Sequence, residues 1–244
     1  MPQLIALLDA VDAMPDARRL RTRTYDLLVA GPGSRIVDAG CGAGRAVAEL
    51  GERGAQATGI DLDPQMLSVA RDRHPKADFR EADLTRLAFA DASLDGYRAD
   101  KVLHTLPDPV AALAEARRVL RSGGRAVLVG QDWDTVVIDA TDPALTRTIV
   151  HARADLTTGP RVARRHRALL LDAGFTEVAV EVHTAVLTDA LVLPLLAGFA
   201  SAACEGGAIT ADEADEWLAD QRRRAATDRL FVAIPMFLGA GTRA

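Results

Sequence analysis

A glycine-rich turn after a short apolar segment is the first stretch of this sequence with the spacing of a ligand site. The acidic residue Asp38 precedes three glycines at alternate positions, Gly40, Gly42 and Gly44. Because glycine has no side chain, a ligand can approach the main chain closely at such a turn. Apolar residues then recur at helical spacing, which predicts a strand, a bare turn and a helix N-terminus. This combination is typical of a site for a nucleotide-type ligand.

Two more carboxylates are predicted at the ends of neighbouring strands. Asp61 ends the second predicted strand, residues 55–61, and Asp83 follows the third, residues 77–80. A carboxylate at a strand end can accept hydrogen bonds from both hydroxyls of a ribose. A helix cap is an alternative explanation for Asp83, but two acidic strand ends are harder to explain by structure alone than one.

The spacing of the glycines narrows the class of ligand. A dinucleotide fingerprint, G-x-G-x-x-G, needs a third glycine where Arg45 stands, so an NAD-dependent oxidoreductase is disfavoured but kept as an alternative. The observed order, an acidic residue, a spacer and G-x-G-x-G, resembles motif I of the class I S-adenosylmethionine-dependent methyltransferases. The resemblance implies S-adenosylmethionine as the cofactor, S-adenosylhomocysteine as its product, and binding by Asp38, Ala39, Gly40, Gly42 and Gly44.

Three later segments extend the resemblance to this family. Residues 59–67 resemble motif II, residues 81–84 resemble motif III, and residues 106–128 resemble the following helix and fifth strand, including an R-V-L-R-x-G-G turn. In the family these positions imply that Asp61 binds ribose and that Asp83 accepts from the adenine amino group. They also imply that Leu62, Met66 and Leu84 lie beside adenine and that the backbone of Lys101 contacts the methionine portion. Ordinary helix packing is the alternative for Met66.

The acceptor is expected where the fourth predicted strand, residues 96–102, lies beside the first. His104 follows that strand, and its reference pKa near 6.5 suits a general base, worth roughly 10²–10⁴-fold in rate. A structural or cofactor-packing role is the alternative for His104. After the fifth strand, Trp133 offers a flat wall, and Asp132 or Asp134 is positioned to hold a basic group or to orient His104. Loop solvation is an equal alternative for the two aspartates, and lid packing is an equal alternative for Trp133.

These elements predict an α/β fold, with a doubly wound, mostly parallel sheet of seven strands, an antiparallel last strand and a helical lid. We expect a helical cap at 1–30, a cofactor-binding core at 31–187, a lid insertion at 188–228 and the last strand at 229–244. Thr188 is predicted to cap the first lid helix, and Thr210 with Glu213 forms a capping box for the second. Leu196, Phe199 and Trp217 are candidate pocket walls, with core packing as the alternative.

Composition excludes several other classes. The 244 residues are 49% hydrophobic and 26% charged with a net charge of −5, which suits a globular protein without a broad nucleic-acid-binding face. The two cysteines, Cys41 and Cys204, lack the spacing of a zinc site or a disulfide scaffold. With no signal peptide and no spanning segment, we expect a cytoplasmic protein without membrane association, and we expect no metal.

The sequence therefore predicts methyl transfer to a small organic acceptor, with the oligomeric state left open. The alternative is a methyltransferase-like protein that binds the cofactor structurally while its pocket catalyses another reaction, such as a cyclisation.

Overall fold

One eight-stranded sheet forms the centre of the computed structural model, which describes residues 9–244. Its strands are β1 (Arg35–Ala39), β2 (Gln56–Asp61), β3 (Asp78–Glu81), β4 (Leu94–Asp100), β5 (Leu120–Gln131), β6 (Val137–Ile138), β7 (Phe175–Leu187) and β8 (Val232–Arg243). The order is β3-β2-β1-β4-β5-β8, with β7 along the far side of β8 and β6 beside its first residues. The predicted doubly wound sheet is confirmed.

Helices flank the sheet and in several cases begin where the sequence predicts. They are α1 (Pro15–Leu27), α2 (Arg45–Glu52), α3 (Pro64–Arg73), α4 (Pro109–Val119), α5 (Pro143–Asp155), α6 (His166–Asp172), α7 (Leu193–Glu205) and α8 (Ala211–Ala226). Residues 9–12 are also helical. Four of the helices begin at proline, which has no N–H to leave unsatisfied in the first turn. Asp63, Asp108 and Asp142 cap three of these helices through side-chain oxygens.

The central strand β1 places the glycine turn between two neighbours. It pairs in parallel with β2 on one side and with β4 on the other, and Asp38 lies opposite Gly59 and Arg98 in these two ladders. Strands β3 and β5 extend the parallel pairing outward. The carboxyl ends of β1 to β4 therefore meet at one edge of the sheet, where open α/β sheets bind ligands.

The antiparallel part of the sheet confirms the predicted last strand and corrects several boundaries. Strand β8 runs antiparallel between β5 and β7 and covers Val232–Arg243, so it begins three residues later than the predicted segment 229–244. The two-residue strand β6 was not predicted, because its pairing with β8 depends on residues distant in the chain. Between α5 and β7 the chain forms a 3₁₀ turn, Ala163–Arg165, followed by the short α6.

The segment before α7 also differs from the prediction. The cap is Asp189, whose side chain accepts from the Leu191 N–H in a 3₁₀ turn, and not Thr188. The capping box of Thr210 and Glu213 at α8 is confirmed. The expected helical cap at 1–30 falls partly on residues 1–8, which lie outside the described residues.

A second hydrophobic core lies beneath α5, α7 and α8. Leu196, Phe199 and Trp217 are buried in it, and the Trp217 indole N–H donates to Thr146 Oγ1 at 2.9 Å. Core packing thus accounts for Leu196 and Trp217, whereas Phe199 also contacts a candidate site residue. Among residues 9–244, no helix is long and apolar enough to cross a membrane. Cys41 and Cys204 are both free thiols.

Candidate cofactor and acceptor site

The glycine turn needs its glycines for two different reasons. All three have positive φ, +74° at Gly40, +52° at Gly42 and +83° at Gly44, a conformation that disfavours other residues. A Cβ at Gly40 would overlap Val102, and one at Gly44 would lie 2.5 Å from Phe79 Cζ, so these two glycines allow close packing within the protein.

Gly42 is different because its surroundings are open. A Cβ added there would meet only Met66 Cε, at 3.5 Å, which is ordinary van der Waals contact. Its bare backbone is therefore the part of the turn that a ligand can approach, with the Met66 side chain beside it. This observation fits a nucleoside ligand, although the role of Met66 stays a prediction.

The carboxylate of Asp61 is fixed at this turn by two backbone groups. Oδ2 accepts the N–H of Gly42 at 2.8 Å, and Oδ1 accepts the N–H of Asp63 at 3.0 Å. Each carboxylate oxygen has a further lone pair, so Asp61 can still accept from two hydroxyls. The side chain is thus preorganised beside Gly42 in the way that the predicted ribose contact requires.

The residues predicted around adenine have mixed environments. Asp83 does not cap a helix, because a turn and no helix follows it; its Oδ1 accepts from both the backbone N–H and the hydroxyl of Thr85 at 2.8 Å. The Thr85 N–H lowers the pKa of Asp83. Leu62 is 65% exposed, an apolar side chain available to a ligand, whereas Leu84 is buried in the main core. Their adenine roles stay predictions.

Asp38 lies in a buried ion pair that the sequence did not indicate. It is 2% exposed, and Oδ1 accepts from Arg98 Nη1 at 2.7 Å across the β1–β4 ladder. The same guanidinium donates to Asp100 Oδ2 at 2.7 Å and to Thr24 Oγ1 at 2.9 Å. Burial raises the pKa of Asp38, an effect that Arg98 opposes. A charged residue inside an otherwise buried strand is the signal that would have identified Arg98.

Lys101 stands directly after β4 in a left-handed conformation, with φ +59°. Its backbone N–H donates to Val129 O at 2.8 Å, so only its carbonyl group and its side chain remain for the predicted contact with the methionine portion. The ammonium group lies 3.3 Å from Asp12 Oδ1.

Residues 9–12 are tied to this edge of the sheet through charged groups. Asp9 pairs with Arg73 at 2.7 Å and with Arg45 at 3.4 Å, and Asp12 pairs with Lys101. These three cations belong to α3, α2 and the end of β4, which surround the glycine turn. Residues 9–12 therefore lie against this edge of the sheet, while the N-terminal cap as a unit and its covering of a cofactor stay predictions.

His104 lies in a 3₁₀ turn, Leu103–Thr105, that follows Lys101. Its ring packs edge-on against Trp133, with 5.8 Å between ring centroids. Burial lowers the pKa of His104, and the charges of Arg153 and Lys101 lower it further. The imidazole is therefore neutral near pH 7, the protonation state that a base needs.

Trp133 is the centre of the predicted acceptor wall. The Arg153 guanidinium lies 4.7 Å above its ring, and the Phe199 ring is 6.1 Å away. The indole Nε1 is buried and has no hydrogen-bond partner among the described residues. The structure thus brings Trp133, Phe199 and His104 together and adds Arg153, which the sequence did not single out.

The acidic residues near Trp133 bind arginines. Asp132 is completely buried and pairs with Arg164, and Asp134 pairs with Arg161. Within residues 9–244 neither carboxylate bonds to His104, and the holding of a basic group by either of them at the site stays a prediction. Asp132 stabilises the loop, since it also accepts the Asp134 N–H at 3.1 Å. A direct acceptor contact by Asp132 stays a prediction.

Two open clefts lie elsewhere, at the amino ends of the strands. One of about 1,030 Å³ is lined in part by Gln56 and Asp78, and one of about 590 Å³ by Gly33 and Arg125. Neither contains a candidate residue, and we place the site at the carboxyl ends because bare backbone, strand-end carboxylates and His104 converge there. Among residues 9–244, no three His, Cys, Asp or Glu residues are grouped to hold a metal ion.

Comparison with known proteins identifies the family to which the core of the chain is similar. Residues 37–128 match the model of a methyltransferase domain. The chain is 33% identical over 228 residues to a 37.1 kDa protein of transposon TN4556 from Streptomyces fradiae, covering 89% of this chain and 66% of that protein. It is 37% identical over 111 residues to demethylmenaquinone methyltransferase of Beutenbergia cavernae, covering 46% of each. The chain thus spans about half the length of the latter relative.

Solved structures share the fold at low sequence identity. A geranyl diphosphate methyltransferase solved with S-adenosylmethionine superimposes with a TM-score of 0.60 at 18% identity, covering 98% of this chain and 89% of that one. The [4+2]-cyclase SpnF superimposes with a TM-score of 0.57 at 22% identity, covering 93% and 82%.

Proposed function

Because the chain belongs to the class I S-adenosylmethionine-dependent methyltransferases, we propose that it transfers a methyl group from S-adenosylmethionine to a small organic acceptor. The observation that carries the proposal is the Asp61 carboxylate, which two backbone N–H groups hold beside the open backbone of Gly42. A carboxylate that is held in place, can accept two hydrogen bonds and lies beside bare backbone suits the two hydroxyls of a ribose.

The residues around the turn fit the cofactor as follows. Asp61 would hold the ribose hydroxyls, and Leu62 and Met66 would contact adenine, which the exposure of Leu62 and the position of Met66 beside Gly42 support. Asp83 and Leu84 follow β3, on the same side of the turn. Asp38 would hold the turn in position through its buried ion pair with Arg98.

The cofactor supplies a methyl group that is already electrophilic, so the protein has to align the acceptor, exclude water and take a proton. Holding two reactants in line is worth roughly 7–11 kcal/mol of the barrier. A ring nitrogen of the neutral His104 would accept the proton that the acceptor atom loses as its new bond to carbon forms. Trp133 and Phe199 would form the apolar wall on the acceptor side.

A second function on the same fold stays open. The cyclase SpnF shares the fold, so the pocket beside His104 would, in this alternative, catalyse a reaction without methyl transfer while the cofactor acts as a structural part. The two functions differ in one observable, the appearance of a methylated product.

The deciding experiment is incubation of the protein with S-adenosylmethionine carrying a deuterated methyl group and a bacterial metabolite extract, followed by mass spectrometry. Methyl transfer predicts at least one product that gains a labelled methyl group with the wild type and not with Asp61→Ala. If the protein binds the cofactor in calorimetry but labels nothing, the methyltransferase assignment is contradicted and the structural-cofactor alternative is favoured.

A further inference from the structure

The wall around Trp133 contains a positive charge that no carboxylate between residues 9 and 244 neutralises. The guanidinium of Arg153, in the last turn of α5, lies 4.7 Å from the centre of the Trp133 ring, and the residue is half-buried. Arg161 and Arg164, which bind the same loop, each pair with an aspartate. Arg153 makes no such pair with a described residue, so its charge is available to a ligand that enters beside Trp133.

Most hydrogen-bond donors of Arg153 are also unused within residues 9–244. Its Nη1 donates to Thr157 Oγ1 at 2.9 Å, which is the one side-chain hydrogen bond that it makes among these residues. A guanidinium has five N–H donors in a planar fork that matches the two oxygens of a carboxylate. An arginine in the last turn of a helix often bonds to the final carbonyl oxygens, but Arg153 lies over the indole ring instead.

Arg153 and His104 lie against the same indole ring, so one small molecule can reach both. The His104 ring packs edge-on against Trp133 with 5.8 Å between centroids. After α5, the Gly159 N–H donates to His104 O at 2.9 Å, and Pro160 O accepts the Trp133 N–H at 3.0 Å. Burial lowers the pKa of His104, and the charge of Arg153 lowers it further, so this charge acts where the acceptor is expected.

We propose that the acceptor is a small carboxylic acid whose carboxylate binds the Arg153 guanidinium and whose apolar body lies against Trp133 and Phe199, an inference that rests on the proposed function. The methylated atom lies toward His104 and is not the carboxylate, since a base serves an acceptor atom that loses a proton. A carboxylate matches the single charge of Arg153, whereas a phosphate monoester carries about −1.5 to −2 at pH 7.

Chemical blocking of the metabolite extract tests the class of acceptor with the wild-type protein alone. In one part of the extract, ammonia and a carbodiimide convert carboxylates to amides; a second part is treated in the same way without carbodiimide, and a third receives a phosphatase. We expect the labelled product from the second and third parts and not from the first. Labelling that survives amidation, that disappears after phosphatase treatment or that yields a methyl ester overturns the proposal.

Arg153→Met removes the charge and keeps a long apolar side chain beside Trp133. With the acceptor identified in this way, the variant should lower kcat/KM about tenfold to 100-fold, mainly by raising KM, because a hydrogen-bonded charge is lost. Its affinity for S-adenosylhomocysteine should stay within about twofold. Arg153→Lys should recover part of the loss, since it keeps the charge but not the fork. Arg147→Met, at an exposed position of α5, is the matched control and should behave like the wild type.

The outcomes separate this inference from the proposed function. If the protein binds S-adenosylhomocysteine but no part of the extract gives a labelled product, the proposed function fails. If a product forms and Arg153→Met turns it over like the wild type, only this inference is overturned. An equal loss of turnover and of S-adenosylhomocysteine affinity would show a structural role for Arg153 and overturns it too. Should Arg153→Met not fold, the blocked extracts still decide.

Discussion

Asp61 and Asp38, the two carboxylates nearest the glycine turn, have opposite environments. Asp61 is half-buried, accepts only backbone N–H groups and keeps free lone pairs at the surface of the turn. Asp38 is buried and neutralised by Arg98. Asp61 is therefore the one suited to touch a ligand, and Asp38 is suited to hold the turn in position.

Asp61→Ala should lower the affinity for S-adenosylhomocysteine by at least about 100-fold, because two hydrogen bonds to a charged acceptor are lost. Calorimetry measures this directly. The neighbouring cap variant Asp63→Ala is the control: it should cost about 1 kcal/mol of stability and leave the affinity within a few-fold. Unchanged affinity in Asp61→Ala would refute the ribose assignment.

His104→Ala should lower turnover by roughly 10²–10⁴-fold and affect cofactor affinity much less. Since the pKa of His104 lies below its usual 6.5, wild-type turnover should stay level down to that lowered pKa and fall at more acidic pH as the ring becomes protonated. In a pH–rate profile measured with the acceptor that mass spectrometry identifies, the variant should not show this fall at acidic pH. Equal losses of turnover and cofactor affinity would make His104 a structural residue.

Single residues could be predicted where the signal was local. The glycine spacing and the strand-end position located Asp61, because both can be read from a few consecutive residues. Arg98, Arg153 and the partners of Asp132 could not be found in this way. Their roles depend on which strand or helix lies opposite, as with Arg98 across the β1–β4 ladder.

At the scale of elements, the N-terminal segment joins three parts of the site edge. Asp9 links Arg73 of α3 to Arg45 of α2, and Asp12 reaches Lys101 after β4. Closing this segment over a bound cofactor would slow the release of the ligand.

Asp9→Asn should raise the dissociation rate of S-adenosylhomocysteine about two- to tenfold, since it removes two partly exposed ion pairs worth up to about 1 kcal/mol each. Stopped-flow displacement measures the rate. Asp16→Asn, which removes the exposed pair with Arg19 in α1, is the matched control and should have no effect. A dissociation rate that does not change in Asp9→Asn would exclude a covering role for the segment.

Elements could be predicted from sequence where caps define them. Asp63-Pro64, Asp108-Pro109 and the Thr210–Glu213 box each mark a helix start through neighbouring residues. Strand β6 and the 3₁₀ turn before α6 were missed, because they form against β8 and Asp132, which are distant in the chain.

At the scale of the whole molecule, α6 is docked on the antiparallel half of the sheet through a buried histidine. His166 is 1% exposed, and a Cβ added to Gly239 of β8 would lie 2.8 Å from His166 Cβ. Burial lowers the pKa of His166 to about 4, although the Phe237 backbone opposes this shift. Its Nδ1 is buried without a partner among residues 9–244.

The free energy of unfolding should therefore fall as pH falls from about 6.5 to about 4, because the unfolded chain binds a proton that the folded chain resists. A shift from 6.5 to about 4 corresponds to about 3 kcal/mol at the acidic end of this range. Urea unfolding at pH 7 and at pH 4 measures this loss of unfolding free energy. Between the two pH values His166→Leu should lose about 3 kcal/mol less than the wild type. The variant His151→Leu, at an exposed position, should lose as much unfolding free energy as the wild type. If His166→Leu also loses as much as the wild type, His166 is not the cause of the pH dependence.

The central claim is that a nucleoside lies across the ends of β1 and β2 with its ribose on Asp61. A crystal structure of the protein with S-adenosylhomocysteine tests this most directly. We expect both ribose hydroxyls within hydrogen-bond distance of the Asp61 carboxylate and the thioether over Gly40–Gly44. A nucleoside bound at the amino ends of the strands, with the glycine turn free of ligand, would contradict the account.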